Sequence, residues 1–120
     1  MKKKICLLMA VLLISGCTTI SLYRTLKPNR ENLQKLSIGM TKEQVLETMG
    51  TEPFIWNNMT IANPFRVSML RSSDSMYEVF YYVVKVVTDD GIIDENELIP
   101  IVLEKGKLVG WGWDYLDNIR

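Results

Sequence analysis

The chain has 120 residues, 14 basic and 14 acidic side chains, and not one histidine. That length supports a single hydrophobic core, and no clustered basic face of the sort a nucleic-acid binder carries is present in the sequence. With no histidine, no nucleophile elbow and no glycine-rich phosphate loop, the familiar routes to hydrolysis and phosphoryl transfer are missing, and the expectation is a protein that is not an enzyme.

Lys2, Lys3 and Lys4 precede an apolar run from Ile5 to Ile14. A positive start, a short apolar stretch and small residues make an export signal. At about 1.5 Å per residue the run is too short to span some 30 Å of hydrocarbon. Ile14, Ser15, Gly16 and Cys17 close it in the pattern of a bacterial lipobox, in which the cysteine is acylated and becomes the first mature residue. Residues 1–16 are therefore read as a signal peptide and residues 17–29 as a lipidated, flexible tether. Residues 30–120 are read as one domain. Cleavage removes three of the 14 basic residues, leaving 11 against 14 acidic ones, a formal charge of −3. Cys6 departs with the signal and Cys17 carries lipid, so no thiol remains for a disulfide. The anchor implies the periplasmic face of the outer membrane in a Gram-negative host, or the cell membrane otherwise. The covalent lipid is the one non-protein group expected, with no further cofactor.

From Arg30 the pattern turns helical, with Leu33 and Leu36 three apart. Thr41 and Gln44 form a capping box for a second helix whose stripe is Val45, Leu46 and Met49, with Gly50 as its stop and Pro53 barring a restart. Leu36, Ile38-Gly39-Met40-Thr41, Val45, Gly50 and Pro53 together resemble the motif of the small outer-membrane lipoproteins of the SmpA/OmlA type. The best-known member of that family is an accessory subunit of the β-barrel assembly machinery. The resemblance implies a lipobox, a tether, two short helices and a three-stranded antiparallel sheet, with an envelope protein as partner. The stretch from Asn57 to Ser75 reads as an insertion in that layout, with room for a short extra strand between Phe54 and Met69.

Tyr77 to Thr88 is rich in Val, Tyr and Phe and reads as a long strand, with Phe80, Tyr82, Val84 and Val86 on its core face. Glu97 to Glu104 is a second strand, placed at an edge or bulged because Pro100 has no amide hydrogen. Lys105-Gly106 turns into a third, Lys107 to Tyr115, on which Val109, Trp111, Trp113 and Tyr115 share a face. The fold class expected is α+β: two short N-terminal helices packed on a three-stranded antiparallel sheet in two layers.

Two clusters suggest a partner-binding surface. Trp111, Trp113 and Tyr115 have the amphipathic character of interface anchors, though a domain this small also needs such rings in its core. Phe65 and Arg66 place an apolar ring beside a cation in the inserted segment, as a docking tip or a tucked turn. The acidic run from Asp89 to Glu97 partly resembles a calcium loop, but Val86 and Thr88 stand where its first oxygen ligands belong, so no metal is expected. The expected function is a lipid-anchored periplasmic binding or scaffold module. An inhibitor-like or envelope-stress module for a soluble periplasmic protein is the alternative, as is a purely structural envelope lipoprotein.

Overall fold

The structure, a computed structural model, describes residues 20–87 and 91–120. Helix α1 (Ile20–Leu33) is followed by α2 (Lys42–Met49), and strands β1 (Phe54–Trp56) and β2 (Met59–Ile61) make a separate hairpin. Strands β3 (Arg66–Ser72), β4 (Ser75–Val83), β5 (Leu98–Glu104) and β6 (Lys107–Trp111) form an antiparallel sheet in chain order, and helix α3 (Trp113–Ile119) ends the fold. The expectation of two helices on three strands is therefore corrected to three helices, a two-stranded hairpin and a four-stranded sheet among the described residues.

The local devices explain the elements. Thr41 Oγ1 accepts from the Gln44 amide at 3.2 Å and Gln44 Oε1 accepts from the Thr41 amide at 2.9 Å, closing the capping box of α2. The residues that look like breakers in the supposed insertion are hairpin turns. Asn57 and Asn58 take φ of +49° and +61° between β1 and β2, as a two-residue turn matching strand twist requires. Ser73, at φ +54°, turns β3 into β4, and Lys105, at φ +53°, turns β5 into β6. What reads as an insertion is thus a hairpin plus the first strand of the main sheet.

Within the stretch expected as a tether, the chain is helical from Ile20 onward. Pro28 lies within α1, where it removes one helical amide. Tertiary bonds compensate. The buried Asn29 amide donates to Val83 O at 2.8 Å and to Asn63 Oδ1 at 2.9 Å, and Arg30 Nη1 donates to Val84 O at 2.9 Å.

The sheet is covered on both faces, which replaces the two-layer expectation. Phe80, Tyr82, Ile101, Leu103 and Leu108 pack with Leu36, Val45 and Met49 on the α2 side. Val79, Tyr81, Val83 and Val102 pack with Leu116 of α3, Leu26 of α1, and Trp56 and Ile61 of the hairpin on the other. β4 is central enough that Val79 to Val83 are all buried, so no face of it is the solvent face, and the strand ends before Val84. Pro100 sits in an interior strand. The β5–β6 ladder begins only at Ile101, so its missing amide costs no ladder bond there, and its carbonyl accepts from Gly112 N at 2.8 Å.

The two edges of the sheet differ. Beyond β6, Gly39 N donates to Leu108 O and Leu108 N to Met40 O, both at 2.8 Å, while Lys42 N donates to Gly106 O at 3.0 Å. The segment leading into α2 thereby seals that edge. Among the described residues β3 has a ladder neighbour, β4, on one side alone.

Candidate functional site

Ile14, Ser15, Gly16 and Cys17 lie outside the described residues. The aromatic stripe does not exist as one surface. A register shift between Val102 and Leu103 places Leu108 opposite Leu103 but Gly110 opposite Val102, so one extra residue enters β6 and its side chains change face. Trp111 then packs on the α2 side, and Trp113 and Tyr115, which belong to α3 rather than to a strand, pack on the opposite side. Tyr115 lies against Gly110 so closely that a Cβ there would stand 2.6 Å from three ring carbons.

Phe65 and Arg66 are not a free loop tip. Phe65 packs against the α3-side core, and its amide donates to Tyr81 O at 2.8 Å. Arg66 opens β3 with its guanidinium 4.1 Å from the Tyr81 ring centroid and 2.7 Å from a Glu95 carboxylate oxygen. The hydrogen bond that Arg66 donates to the Glu95 carboxylate raises the Arg66 pKa above its ordinary value, so the charge is permanent. The Tyr81 ring in turn lies 5.8 Å from that of Trp113, whose indole N–H donates to Leu98 O at 2.9 Å. Arg66 and Trp113, read as separate candidates, therefore meet across Tyr81, whereas Trp111 is brought to neither.

Below this stack runs the open edge. Val67 and Met69 of β3 are 49% and 60% exposed, and Met76 of β4, across from Arg71, is 48% exposed. Beside them a groove of about 360 Å³ is lined by Met69, Met76, Glu78, Leu103, Glu104 and Lys105. Glu78 is held by Lys42 at 3.2 Å, which ties the groove wall to α2. β3 carries Arg66 and Arg71 and no carboxylate. Polar backbone along an unpaired strand is a template for a further strand, and apolar side chains beside it give that strand something to bury.

Two polar residues that do the most structural work escape a reading of the sequence. Asn29 has the appearance of linker composition, yet it joins α1 to β4 and to the hairpin. Glu97, a candidate calcium ligand by position, is fully buried, and its carboxylate accepts the amides of Val87 and Asp94, each at 2.8 Å. Its oxygens staple the loop before β5; Asp89 and Asp90 lie outside the described residues.

Fold and edge together define a small domain with one sealed and one open sheet edge among the described residues. The chain belongs to the DUF3192 family, described as a protein of unknown function, whose model matches residues 23–118. No curated protein and no solved structure matches it. No described helix is long and apolar enough to cross a membrane.

Proposed function

We propose that this protein is a lipid-anchored binding or scaffold module of the bacterial cell envelope, held by Cys17 and receiving an extended segment of a protein partner along β3. The observation that carries the reading is the open β3 edge with Val67 and Met69 exposed beside it. The lipobox pattern at Ile14 to Cys17 supports the location, and the motif from Leu36 to Pro53 supports kinship of role with the accessory lipoproteins of barrel assembly. Arg71, the β3 arginine that Glu95 does not neutralise, favours a partner segment that brings an acidic side chain to that edge.

The test is a crosslinked pull-down of C-terminally tagged full chain from detergent-solubilised envelopes, beside Cys17→Ala and a Val67→Lys/Met69→Lys double variant. An envelope protein recovered with the native chain and lost with the edge variant supports the reading. Recovery that ignores both changes, or that yields only a soluble periplasmic protein, refutes it in favour of a role independent of edge and anchor.

A further inference from the structure

The backbone of β3 divides its residues into two sets. The turn at Ser73-Asp74 joins Ser72 to Ser75, which stand directly opposite each other. Residues flanking a two-residue turn exchange both backbone bonds, and along an antiparallel ladder such bonded pairs alternate with unbonded ones. Counting back from the turn, Leu70, Ser68 and Arg66 bond to β4, opposite Tyr77, Val79 and Tyr81. The Tyr81 carbonyl fixes the phase, because it accepts from the Phe65 amide and so points towards β3. Val67, Met69 and Arg71 therefore aim their N–H and C=O groups outward, to the side on which no described strand lies.

The side chains of these outward-bonding residues also share one face, since they alternate with the others. Opposite them on β4 stand Phe80, Glu78 and Met76, and Phe80 belongs to the face that α2 covers. That cover lies over β4 to β6, while Val67, Met69 and Arg71 stay exposed. The other face of β3 is occupied. Leu70 packs into the α3-side core, Ser72 Oγ donates to Ile119 O, and Ser68 Oγ donates to the Tyr81 hydroxyl at 3.5 Å. On the bare face Met69 and Met76 line the groove of about 360 Å³. Glu78 is already paired with Lys42 at 3.2 Å, so the face runs from apolar Val67 and Met69 to the exposed cation of Arg71.

We infer that β3 selects an antiparallel segment of the form acid-x-large apolar-x-apolar, read from its N-terminus. The acid stands opposite Arg71, the large apolar residue opposite Met69 and the last residue opposite Val67. An antiparallel strand exchanges straight bonds with the outward groups of those residues, and its side chains at the same positions fall on the bare face. Opposite charges facing each other across two strands stabilise the pair and like charges destabilise it. A large apolar side chain opposite Met69 extends the surface that Met69 and Met76 begin. The intervening residues fall on the side of Ser68 and Leu70, where small polar side chains suffice.

The pattern rests on the edge-binding reading of β3, and the experiment separates the two. The full chain in detergent is mixed with the peptide Thr-Glu-Thr-Leu-Thr-Val-Thr at millimolar concentration, and amide hydrogen exchange is resolved residue by residue. Exchange at Val67, Met69 and Arg71 is expected to slow, with Ser68 and Leu70 unchanged because their amides already bond to β4. Arginine in place of the peptide's glutamate should weaken binding about fivefold. Serines in place of its leucine and valine should weaken it about tenfold or more. Arg71→Glu should reverse the preference between the glutamate and arginine peptides. Equal protection of the same amides by every peptide overturns the pattern and leaves edge binding standing. So does equal protection by the reversed sequence Thr-Val-Thr-Leu-Thr-Glu-Thr, or a preference that Arg71→Glu does not alter. Exchange along β3 that no peptide slows overturns the pattern and strand addition together.

Discussion

The two edges of one sheet have been treated in opposite ways. At β6 the segment from Gly39 to Lys42 lies alongside the strand and uses its outward amides and carbonyls, with hydrogen bonds of 2.8–3.0 Å. At β3 nothing among the described residues does so, and the strand shows Val67 and Met69 to solvent. Edge strands are ordinarily blunted, because an open one pairs with other chains. The protective device is present in this molecule and is used on one edge only. Under the proposed reading the open edge is the surface that binds, and Arg71, the β3 arginine that Glu95 does not neutralise, bears on what approaches it.

The comparison breaks most severely at the sealed edge. Leu108 is fully buried and exchanges backbone bonds with Gly39 and Met40. Leu108→Ala is expected to cost about 2–5 kcal/mol, as truncation of a core leucine does. Urea denaturation followed by tryptophan fluorescence reads it. A loss under 1 kcal/mol would mean that the sealed edge is no more integral than the open one. The helix that begins at this seal is held down by Tyr82, whose buried hydroxyl donates to Gly50 O at 3.0 Å. Desolvation by burial pushes the Tyr82 pKa from 10.0 up to about 12. A raised folded-state pKa means that the stabilisation is intact below pH 10 and drains away as pH climbs towards 12. The loss is on the order of 2–3 kcal/mol over that interval at about 1.4 kcal/mol per unit. Tyr82→Phe gives up roughly 1 kcal/mol at neutral pH and should flatten this part of the stability profile; an unchanged slope would acquit Tyr82.

How far these features can be read from residues alone follows from what fixes them. Helix α2 is legible because its signals are local: Thr41, Gln44 and Gly50 each act within four residues. The turn at Lys105 is legible for the same reason. Helix α1 is not, since Pro28 and polar neighbours argue against a helix, and the compensation comes from Val83 and Asn63 far along the chain. β3 hides because Arg66, Ser68, Arg71 and Ser72 give it the polar composition of a loop, which is what an open edge strand needs. The aromatic cluster is not legible for a different reason. Alternation along a strand assumes an unbroken register, and the extra residue beside Val102 and Leu103 breaks it. Arg66 and Trp113 each stand out in the sequence, but Tyr81, which joins them, has the pattern of one more strand residue.

The residue that follows the extra one, Val109, is Gly110, and it offers a sharper test of the sealed side. Gly110 faces the Tyr115 ring with no space for a methyl group. Gly110→Ala is expected to destabilise by about 1–3 kcal/mol through overpacking. Adding Tyr115→Ala should recover part of that loss, a coupling that a double-mutant cycle isolates. Strictly additive effects would show that α3 does not lie against β6 in solution.

The smallest effect on stability is expected at the open edge, and there it is the most informative. Val67→Lys/Met69→Lys places two cations on side chains that are about half exposed, so the unfolding free energy should move by no more than about 0.5 kcal/mol per site. Lysine is also what proteins use to blunt an edge, so the same variant should abolish strand addition while the fold persists. Leu108→Ala does the converse, weakening the fold without touching β3. If the β3 variant unfolds as readily as the β6 variant, Val67 and Met69 contribute to the core and the asymmetry of the edges is only apparent. If it stays folded and loses its envelope partner, the open edge is where this domain binds.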